Sequence, residues 1–432
     1  MGAATQRNFL NARHGIGVLC GLAAGVWLGA AEAPTKLVNS GLSPFAISLC
    51  MVAGVFTARW SFPTLLKGTR TVFVDLSANR HLLAPAVIAG MLWAVANTLT
   101  VFAIRDVGLS IAFPLWNTNS LIGILWGWLL FGELRGASRG NLARVLLGAV
   151  AIVLAAVLLG FSTLHAESVN GAHGGRAVMG ILAALGASLL WGTMYIPYRK
   201  AYISGMTPLS FVTVFTVGEL ATVFALVLAF DGGLNAPVFH STMIHGMLFW
   251  LFLGGFVWVV GDLFQQYATK FLGIGRGIPL SNTNQIWGLA WGVLVFSELA
   301  HADALHRTLA IAGSVVMILG AILVSTAVET ARESSSTEAA ILRECTRYSL
   351  DEEKVLAANR AEAEVNAGTQ IERSWWDYLI LAAALGVFVV LGVQAQRPEL
   401  DLNLFWVTVL VVVMVASAVV GGRALWRFNR FS

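Results

Sequence analysis

Two copies of the tripeptide Asn-Thr-Asn lie inside apolar sequence, at 117–119 and at 282–284. Each copy follows a proline, Pro114 or Pro279, by three residues. A proline inside a helix cannot donate its backbone hydrogen bond and leaves a carbonyl without a partner. The amides either repair this break by bonding to neighbouring helices or offer donors and acceptors to a ligand's hydroxyl groups, and both interpretations stay open. In a regular helix the two asparagines of one copy point about 200° apart, so one of each pair is expected to face a cavity. The four candidate ligand-binding asparagines are Asn117, Asn119, Asn282 and Asn284.

Two tryptophans each precede a polar residue by four positions, Trp93 before Asn97 and Trp258 before Asp262. Gln265 follows Asp262 at a spacing that places both on one helical face. An indole face beside hydrogen-bonding groups suits a ligand that carries both apolar C–H patches and hydroxyls. The alternative is that the tryptophans mark the membrane interface, where they are common. We expect the two tryptophans, Asn97 and Gln265 to line a binding site.

A carboxylate lies near the centre of an apolar stretch, at Glu219. A lone charged carboxylate at the bilayer centre costs about 2.5–3.5 kcal/mol on insertion scales, and burial favours its protonated form. Glu219, Asp262 and Glu32 are therefore candidates for coupling transport to protons. The alternative for Glu219 is a protonated carboxyl that only bonds to a neighbouring helix.

Two further glutamates, Glu133 and Glu298, end apolar stretches. A helix C-terminus disfavours negative charge, so each needs local compensation. Arg135 or Arg139 is the expected partner of Glu133, and both glutamates are interpreted as structural.

The composition indicates a membrane protein. Of 432 residues, 57% are hydrophobic and 12% are charged, against about a quarter charged in soluble domains. Apolar runs of about 20 residues, long enough to cross a bilayer as helices, recur along the chain. The expected spans are 15–33, 43–60, 82–103, 109–132, 142–161, 177–198, 208–230, 243–268, 273–297, 305–326, 375–394 and 402–422.

The distribution of positive charge predicts the orientation. Twenty-two of the 27 Lys and Arg fall on the side of both termini and the even-numbered loops. Positive residues stay in the cytoplasm, so both termini are expected there, in a multi-pass protein of the inner (plasma) membrane. The five on the other side are Lys36, Arg105, Arg176, Arg307 and Arg397.

Residues 93–134 and 258–299 align without gaps and share the Asn-Thr-Asn motif, its proline and a terminal Glu-Leu in register. A weaker match joins 27–44 to 191–208. Each copy then contains five helices, and because five is odd the second copy enters the membrane from the opposite side. Such inverted repeats are typical of secondary transporters, which bind substrate near the midplane and rock one half against the other.

The doubled Phe-Gly-Glu-Leu (131–134) and Phe-Ser-Glu-Leu (296–299), each followed by a helix rich in small residues, resemble the drug/metabolite transporter superfamily. That resemblance implies ten helices arranged as five plus five inverted. The elements from Pro34 to Lys36 and from Pro197 to Lys200 are similar to its sugar-porter branch, which contains glucose/ribose porters and rhamnose–proton symporters. The resemblance covers about residues 14–326.

The expected architecture is an all-α polytopic membrane protein with a ten-helix core and an annex. The first repeat is placed at 14–161 and the second at 177–326, followed by a polar cytoplasmic segment at 327–374 with helix-forming composition. Two additional spans occupy 375–422. This annex is interpreted as lipid-facing, and the alternative is a regulatory or dimerising element, so a homodimer stays open.

The leading hypothesis is a secondary active carrier of a small polar metabolite, a sugar first, with protons as a candidate coupling ion. One alternative on the same fold is an exporter of amino acids, amines or drugs, and another is a membrane receptor or scaffold that transports nothing. An enzyme is not expected, because the sequence has no nucleophile–base pair, no metal-ligand spacing and no phosphate loop in register with a site. No cofactor, metal or nucleic acid is expected as a partner.

Overall fold

The computed structural model describes residues 3–31, 33–36, 42–107, 112, 115–162, 174–240, 242–297, 299, 302–360, 373–396 and 402–431. Helices dominate these residues, and no strand occurs among them. The α-helices are α1 (Ala3–Ala30), α2 (Ala33–Lys36), α3 (Pro44–Lys67), α4 (Thr69–Ala78), α5 (Leu83–Val107), α6 (Asn119–Leu130), α7 (Arg139–Ser162), α8 (Gly174–Ile203), α9 (Pro208–Phe230), α10 (Pro237–His240), α11 (Thr242–Leu272), α12 (Ile274–Ser281), α13 (Asn284–Ala290), α14 (Ala304–Ser325), α15 (Ala331–Tyr348), α16 (Glu352–Arg360), α17 (Trp375–Gln394) and α18 (Leu404–Phe431). Short 3-10 turns at Arg80–Leu82 and Gly233–Asn235 and a π-turn at Trp291–Val295 complete the set.

Ten helical segments of the described chain are long and apolar enough to cross a membrane. They lie in α1, α3, α5, α7, α8, α9, α11, α14, α17 and α18. The prediction of an all-α polytopic membrane protein is confirmed.

Two of the expected spans are interrupted rather than continuous. In the first, α6 begins at Asn119, directly after a turn at 117–118. In the second, α12 ends at Ser281 and α13 begins at Asn284, with the turn at 282–283. The expectation of regular helices through 109–132 and 273–297 is therefore wrong at the Asn-Thr-Asn motifs, where 3-10 bonding replaces the α-helical pattern.

Threonines repair the backbone at both interruptions. The hydroxyl of Thr118 donates to the carbonyl of Leu115 at 2.6 Å, and the hydroxyl of Thr283 donates to the carbonyl of Leu280 at 2.7 Å. Broken helices inside a bilayer need such side-chain partners, because lipid supplies none.

The helices that surround the centre cross at glycines. A Cβ built on Gly54 of α3 would lie 2.0 Å from the carbonyl oxygen of Phe252, and one on Gly255 of α11 would lie 2.0 Å from that of Met51. The crossing of α5 with α9 has the same form: a Cβ on Gly90 would lie 2.0 Å from the oxygen of Phe215. Only glycine permits helix backbones to approach this closely.

Helix packing around the centre falls into matched pairs. α1 packs along α11 as α8 packs along α5, and α3 packs on α11 as α9 packs on α5. α3 also contacts α9, and α7 contacts α14. The bundle therefore places α3, α9 and α11 against one another in the interior.

The last two helices lie outside this core. α17 packs on α3 and α11, and α18 packs on α1 and the π-turn. Asp377 anchors α17: its Oδ1 accepts bonds from the backbone N–H (2.9 Å) and the hydroxyl (2.6 Å) of Thr69. Only 6% of the membrane-spanning stretch of α17 and 17% of that of α18 is buried, so most of the surface of both helices faces outward.

The polar segment after α14 contains α15 and α16, which pack on the core at one end of the bundle. Ile341, Cys345 and Val355 of these helices are buried in the same apolar cluster as core residues of α8 and α9. We call this end of the bundle, where α15 covers the core, the tail-bearing end.

Candidate functional site

Three charged side chains meet inside the bundle. Arg59 Nη1 lies 2.8 Å from Glu219 Oε2, and Arg59 Nη2 lies 2.6 Å from Asp262 Oδ2. All three side chains are completely buried, at 0% exposure. We call Arg59, Glu219 and Asp262 the charged cluster.

Three helices supply one residue each to the charged cluster. Arg59 lies in α3, Glu219 in α9 and Asp262 in α11. Glu219 directly follows Gly218, one of the glycines at the crossing of α9 with α5: a Cβ on Gly218 would lie 2.2 Å from the carbonyl oxygen of Val87. Because the backbones of α9 and α5 are in close contact at Gly218, Glu219 is held at a fixed position. The ion contacts of the charged cluster then connect three membrane spans.

A second layer of polar groups surrounds Asp262. Gln266 Nε2 donates to Asp262 Oδ2 at 2.7 Å, and the hydroxyl of Tyr202 donates to Gln266 Oε1. The other oxygen, Asp262 Oδ1, and the buried hydroxyl of Tyr198 have no hydrogen-bond partner among the described residues. Buried polar atoms are normally paired, so these two are the atoms of the site that a bound water or ligand group would satisfy.

Aromatic rings enclose the guanidinium. The Cζ of Arg59 lies 4.4 Å from the ring centre of Phe215 and 5.3 Å from that of Trp258. Trp258 in turn lies 4.9 Å from Trp93, centre to centre, at an interplanar angle of 58°. Such contacts stabilise a desolvated cation, by about 2 kcal/mol or more. The two tryptophans predicted to act together are thus neighbours and border the charged cluster.

Asp262 and Glu219 were expected from the sequence, but as unpaired groups, and that part of the expectation is wrong. Arg59 lies between them and was missed. The second span is predicted at 43–60 and so ends directly after Arg59, and the sorting of charges counts Arg59 with the loop that follows. The helix instead continues through Pro63 to Lys67, so Arg59 lies two turns inside it. The stretch after Arg59, "WSFPTLL", contains no charged residue, and this is the feature of the sequence that indicates a longer span.

The two Asn-Thr-Asn motifs meet in the interior. Asn282 Nδ2 donates to Asn119 Oδ1 at 3.1 Å and to the carbonyl of Asn117 at 3.4 Å. These three asparagines are buried, which corresponds to the structural interpretation of the motif. Asn284 differs: its Oδ1 has no hydrogen-bond partner among the described residues. The ligand-binding role predicted for Asn284 stays a prediction, with this buried oxygen as its candidate contact.

The other predicted binding residues, Asn97 and Gln265, are both buried, and each makes its own contacts. Asn97 Nδ2 donates to the hydroxyl of Ser48 at 3.2 Å. Gln265 is buried, and its backbone carbonyl accepts from the hydroxyl of Thr269 at 2.9 Å. These contacts do not join Asn97 or Gln265 to the charged cluster, so their part in a site stays a prediction.

Glu133 is held by groups distant in sequence. Its carboxylate lies 2.9 Å from Arg199 Nε and accepts backbone N–H bonds from Ile274 (3.1 Å) and Gly275 (3.0 Å) at the start of α12. The expected compensation by Arg135 or Arg139 is wrong, because Arg135 donates to the carbonyl of Leu129. A helix N-terminus and a guanidinium both stabilise the carboxylate. Glu32 and Glu298 lie outside the described residues.

The charged cluster combines a net negative charge with hydroxyl-binding and aromatic groups. Two carboxylates face one guanidinium, so one negative charge is left when all three are ionised. Carboxylate oxygens, a phenol hydroxyl and indole faces are also the groups that recognise hydroxyls and C–H patches of a polar ligand. The described residues hold no group of three or more His, Cys, Asp or Glu arranged for a metal ion.

Comparison with known proteins places this chain among sugar transporters. The model of the Sugar transport protein family matches residues 43–162 and 182–348. The match spans about two thirds of the chain and includes α3, α9 and α11, which carry the charged cluster.

Individual relatives are similar at low identity. A protein of Listeria innocua, assigned by its name to sugar uptake, is 24% identical over 244 residues, which cover 56% of this chain and 77% of that protein. A Listeria monocytogenes protein with the same assignment is 22% identical over the same coverage. A Staphylococcus epidermidis protein, assigned by its name to glucose uptake, is 23% identical over 222 residues, 51% of this chain and 70% of that protein.

Proposed function

Because the chain belongs to the Sugar transport protein family, we propose that it carries a small sugar across the membrane as a secondary transporter. The observation that carries this proposal is the charged cluster: three ionisable side chains at 0% exposure, supplied by three different membrane spans. Ionisable groups inside a membrane protein are costly and generally mark a transport pathway. Relatives named for sugar and glucose uptake support a sugar as the cargo.

The proposed mechanism is alternating access of two inverted five-helix halves, 14–161 and 177–326. The matched helix contacts support it, since exchanging the halves exchanges α1 with α8, α3 with α9 and α5 with α11. The glycine crossings support it too: Gly90 and Gly255 lie 165 positions apart, the same separation as the two Asn-Thr-Asn motifs. The discontinuous helices at those motifs are a common feature of secondary transporters.

Proton coupling is proposed to run through Glu219. Asp262 Oδ2 receives bonds from both Arg59 and Gln266, whereas Arg59 is the cation that faces Glu219. Because Asp262 is already held by Arg59 and Gln266, we propose Glu219 as the carboxylate that takes up the proton. A proton on Glu219 would make the charged cluster neutral.

The membrane orientation is also a proposal. At the tail-bearing end Lys200 lies 3.6 Å from Glu344 of α15, and the loops predicted for the side of both termini hold 22 of the 27 Lys and Arg. Positive residues are retained in the cytoplasm, and this rule supports a cytoplasmic tail-bearing end with both termini on the cytoplasmic side of the inner membrane.

The first experiment is uptake of a pooled panel of labelled neutral sugars into proteoliposomes, with and without an inward proton gradient. Accumulation of one sugar against its gradient only when protons flow inward supports the proposal. Equilibration without accumulation refutes the coupling and leaves a facilitator. No movement of any sugar refutes the cargo.

Glu219→Gln tests the coupling residue. We expect exchange of labelled for unlabelled sugar to continue, because the amide keeps a polar group beside Arg59, while accumulation driven by the pH gradient is lost. Glu353→Gln is the matched control, because Glu353 is exposed on α16, far from the charged cluster in sequence. Normal accumulation in Glu219→Gln rules out this assignment.

One observation favours a second cargo class. The charged cluster retains one negative charge, which a cationic amine neutralises as well as a proton does. Export of amines on the same fold is therefore the second candidate. It predicts that the proteoliposomes transport a labelled amine and not a neutral sugar.

A further inference from the structure

The helix α15 bridges parts of the core that come from both halves of the chain. Near its start, the hydroxyl of Ser336 donates to the carbonyl of Gly132 at 3.1 Å, and that of Thr330 donates to the carbonyl of Gly136 at 3.3 Å. These glycines follow α6. Both have positive φ, 68° and 84°, and little space is left around them: a Cβ on Gly132 would lie 2.8 Å from the Ser336 hydroxyl. This part of the contact belongs to the first half.

An ion pair ties the same helix to the second half. Arg276 Nη2, in α12, lies 2.7 Å from Glu333 Oε1, and the two side chains are 5% and 3% exposed. The other oxygen of Glu333 accepts the backbone N–H of Thr330 at 2.9 Å, which completes a capping box at the start of α15. Glu333 thus starts the helix and fastens it to the core with one carboxylate.

The far end of α15 makes a second attachment. Lys200, at the end of α8, donates to the hydroxyl of Tyr348 and lies 3.6 Å from Glu344. The ring of Tyr348 stacks on His81 with centres 4.4 Å apart. Between the two attachments, Ile341 and Cys345 are buried at 4% and 1% exposure, so the apolar face of α15 is part of the core.

The core beneath α15 is closed. Glu133 links the first half to Arg199 and to the start of α12 in the second. The cavity left there has room for about 10 Å³, roughly one water molecule. Its lining includes Arg13, Glu133, Arg199, Arg276, Glu329 and Glu333. These contacts therefore join the two halves around a cavity that is too small for a sugar.

We propose that α15 is a latch that holds the tail-bearing end of the carrier shut, with the Arg276–Glu333 pair as its main fastening. The inference rests on the proposed alternating-access function for its purpose, since a latch matters only if this end opens. A buried pair at a helix terminus is suited to this task, because losing one partner leaves a desolvated charge and favours the open arrangement.

Glu333→Gln tests the latch without removing the cap, because glutamine can also close a capping box. The native Cys345 reports whether α15 stays seated, through its rate of reaction with a maleimide in detergent-solubilised full-length protein. Hydrogen exchange of the backbone amides of α12 (274–281) reports whether the core opens at the tail-bearing end. Both measurements work without a substrate, so a failure here is distinct from a failure of the sugar assay.

We expect both rates to rise together by about tenfold or more in Glu333→Gln. Arg276→Gln removes the same pair from the core side and should accelerate Cys345 labelling to a similar degree. The matched control is Arg343→Gln on the exposed face of α15, which should change neither rate. If Cys345 labels faster while exchange in 274–281 stays unchanged, α15 is a passive cover and the latch is refuted. If neither rate changes, the ion pair fastens nothing and the proposal is equally overturned.

Discussion

Replacing Arg59 by methionine should destabilise the protein more than replacing either of its partners. Arg59 contacts Glu219 at 2.8 Å and Asp262 at 2.6 Å, and all three side chains are fully buried. Arg59→Met therefore leaves two carboxylates without a counter-charge. Removing one member of a buried ion pair costs about 3–5 kcal/mol. Glu219→Gln leaves the Arg59–Asp262 contact in place and should cost only about 1–3 kcal/mol, the range for an imperfectly paired buried polar group.

The melting temperature measures this difference. At about 2 °C per kcal/mol for a large chain, Arg59→Met should lower the apparent Tm by about 6–10 °C and Glu219→Gln by about 2–6 °C. The assay is intrinsic tryptophan fluorescence of the detergent-solubilised protein during heating, which suits a chain with 15 Trp. All variants must be compared in one detergent at one protein concentration, because both alter Tm.

A triple variant serves as the control for the cause. In Arg59→Met/Glu219→Gln/Asp262→Asn no uncompensated charge is left, so at least half of the lost stability should return even though more side chains have changed. The reasoning is refuted if Arg59→Met melts within about 2 °C of the wild type. It is also refuted if the triple variant is less stable than Arg59→Met, because the damage would then come from packing and not from charge.

Three further perturbations follow from contacts at other points of the bundle. Glu133→Gln weakens the bonds from Arg199 and the start of α12, and should lower the apparent Tm by about 3–6 °C in the same fluorescence assay, since bonds to charged groups contribute about 1.5–3 kcal/mol; an unchanged Tm would contradict the role of this carboxylate. Asp377→Ala removes the cap on Thr69 and should raise hydrogen exchange in 69–78 by about tenfold, the equivalent of about 1.4 kcal/mol; unaltered exchange there would show that α17 does not anchor α4. Asn282→Ala should cost about 1 kcal/mol of stability by deleting the bond to Asn119, whereas Asn284→Ala should leave Tm unchanged and weaken sugar uptake. The reverse pattern would reassign the two asparagines.

The sequence carries the span pattern and the central motifs well, because both depend on local composition and on repetition. The repeat placed Asn119 and Asn282 in identical motifs of the two copies, and their side chains are hydrogen bonded. The pairing of Trp93 with Trp258 follows from the same repetition. Symmetry thus substitutes for long-range information wherever both copies keep the residue.

Partners that break the symmetry were out of reach of the sequence. Arg59 was missed because the second span was predicted to end at residue 60, whereas the helix continues to Lys67. Arg199 lies 66 positions from Glu133, and local spacing could only suggest the nearer Arg135. Which distant charges meet depends on helix packing, and packing is fixed by the glycine crossings and not by any pattern near the charges.

The proposed repeat does not duplicate the charged cluster, because the equivalent positions in the other half carry different residues. Glu219 corresponds to Val55, Asp262 to Asn97 and, at the same offset as Glu219, Arg59 to Val223. If the halves exchange conformations as proposed, the inward-open and outward-open states should differ in energy, although their backbones are related. The resting carrier should favour one side, and its apparent affinity for sugar should differ between the two faces of the membrane. Transport assays on right-side-out and inside-out vesicles measure this bias, and equal affinities would mean that the lone cluster does not set it.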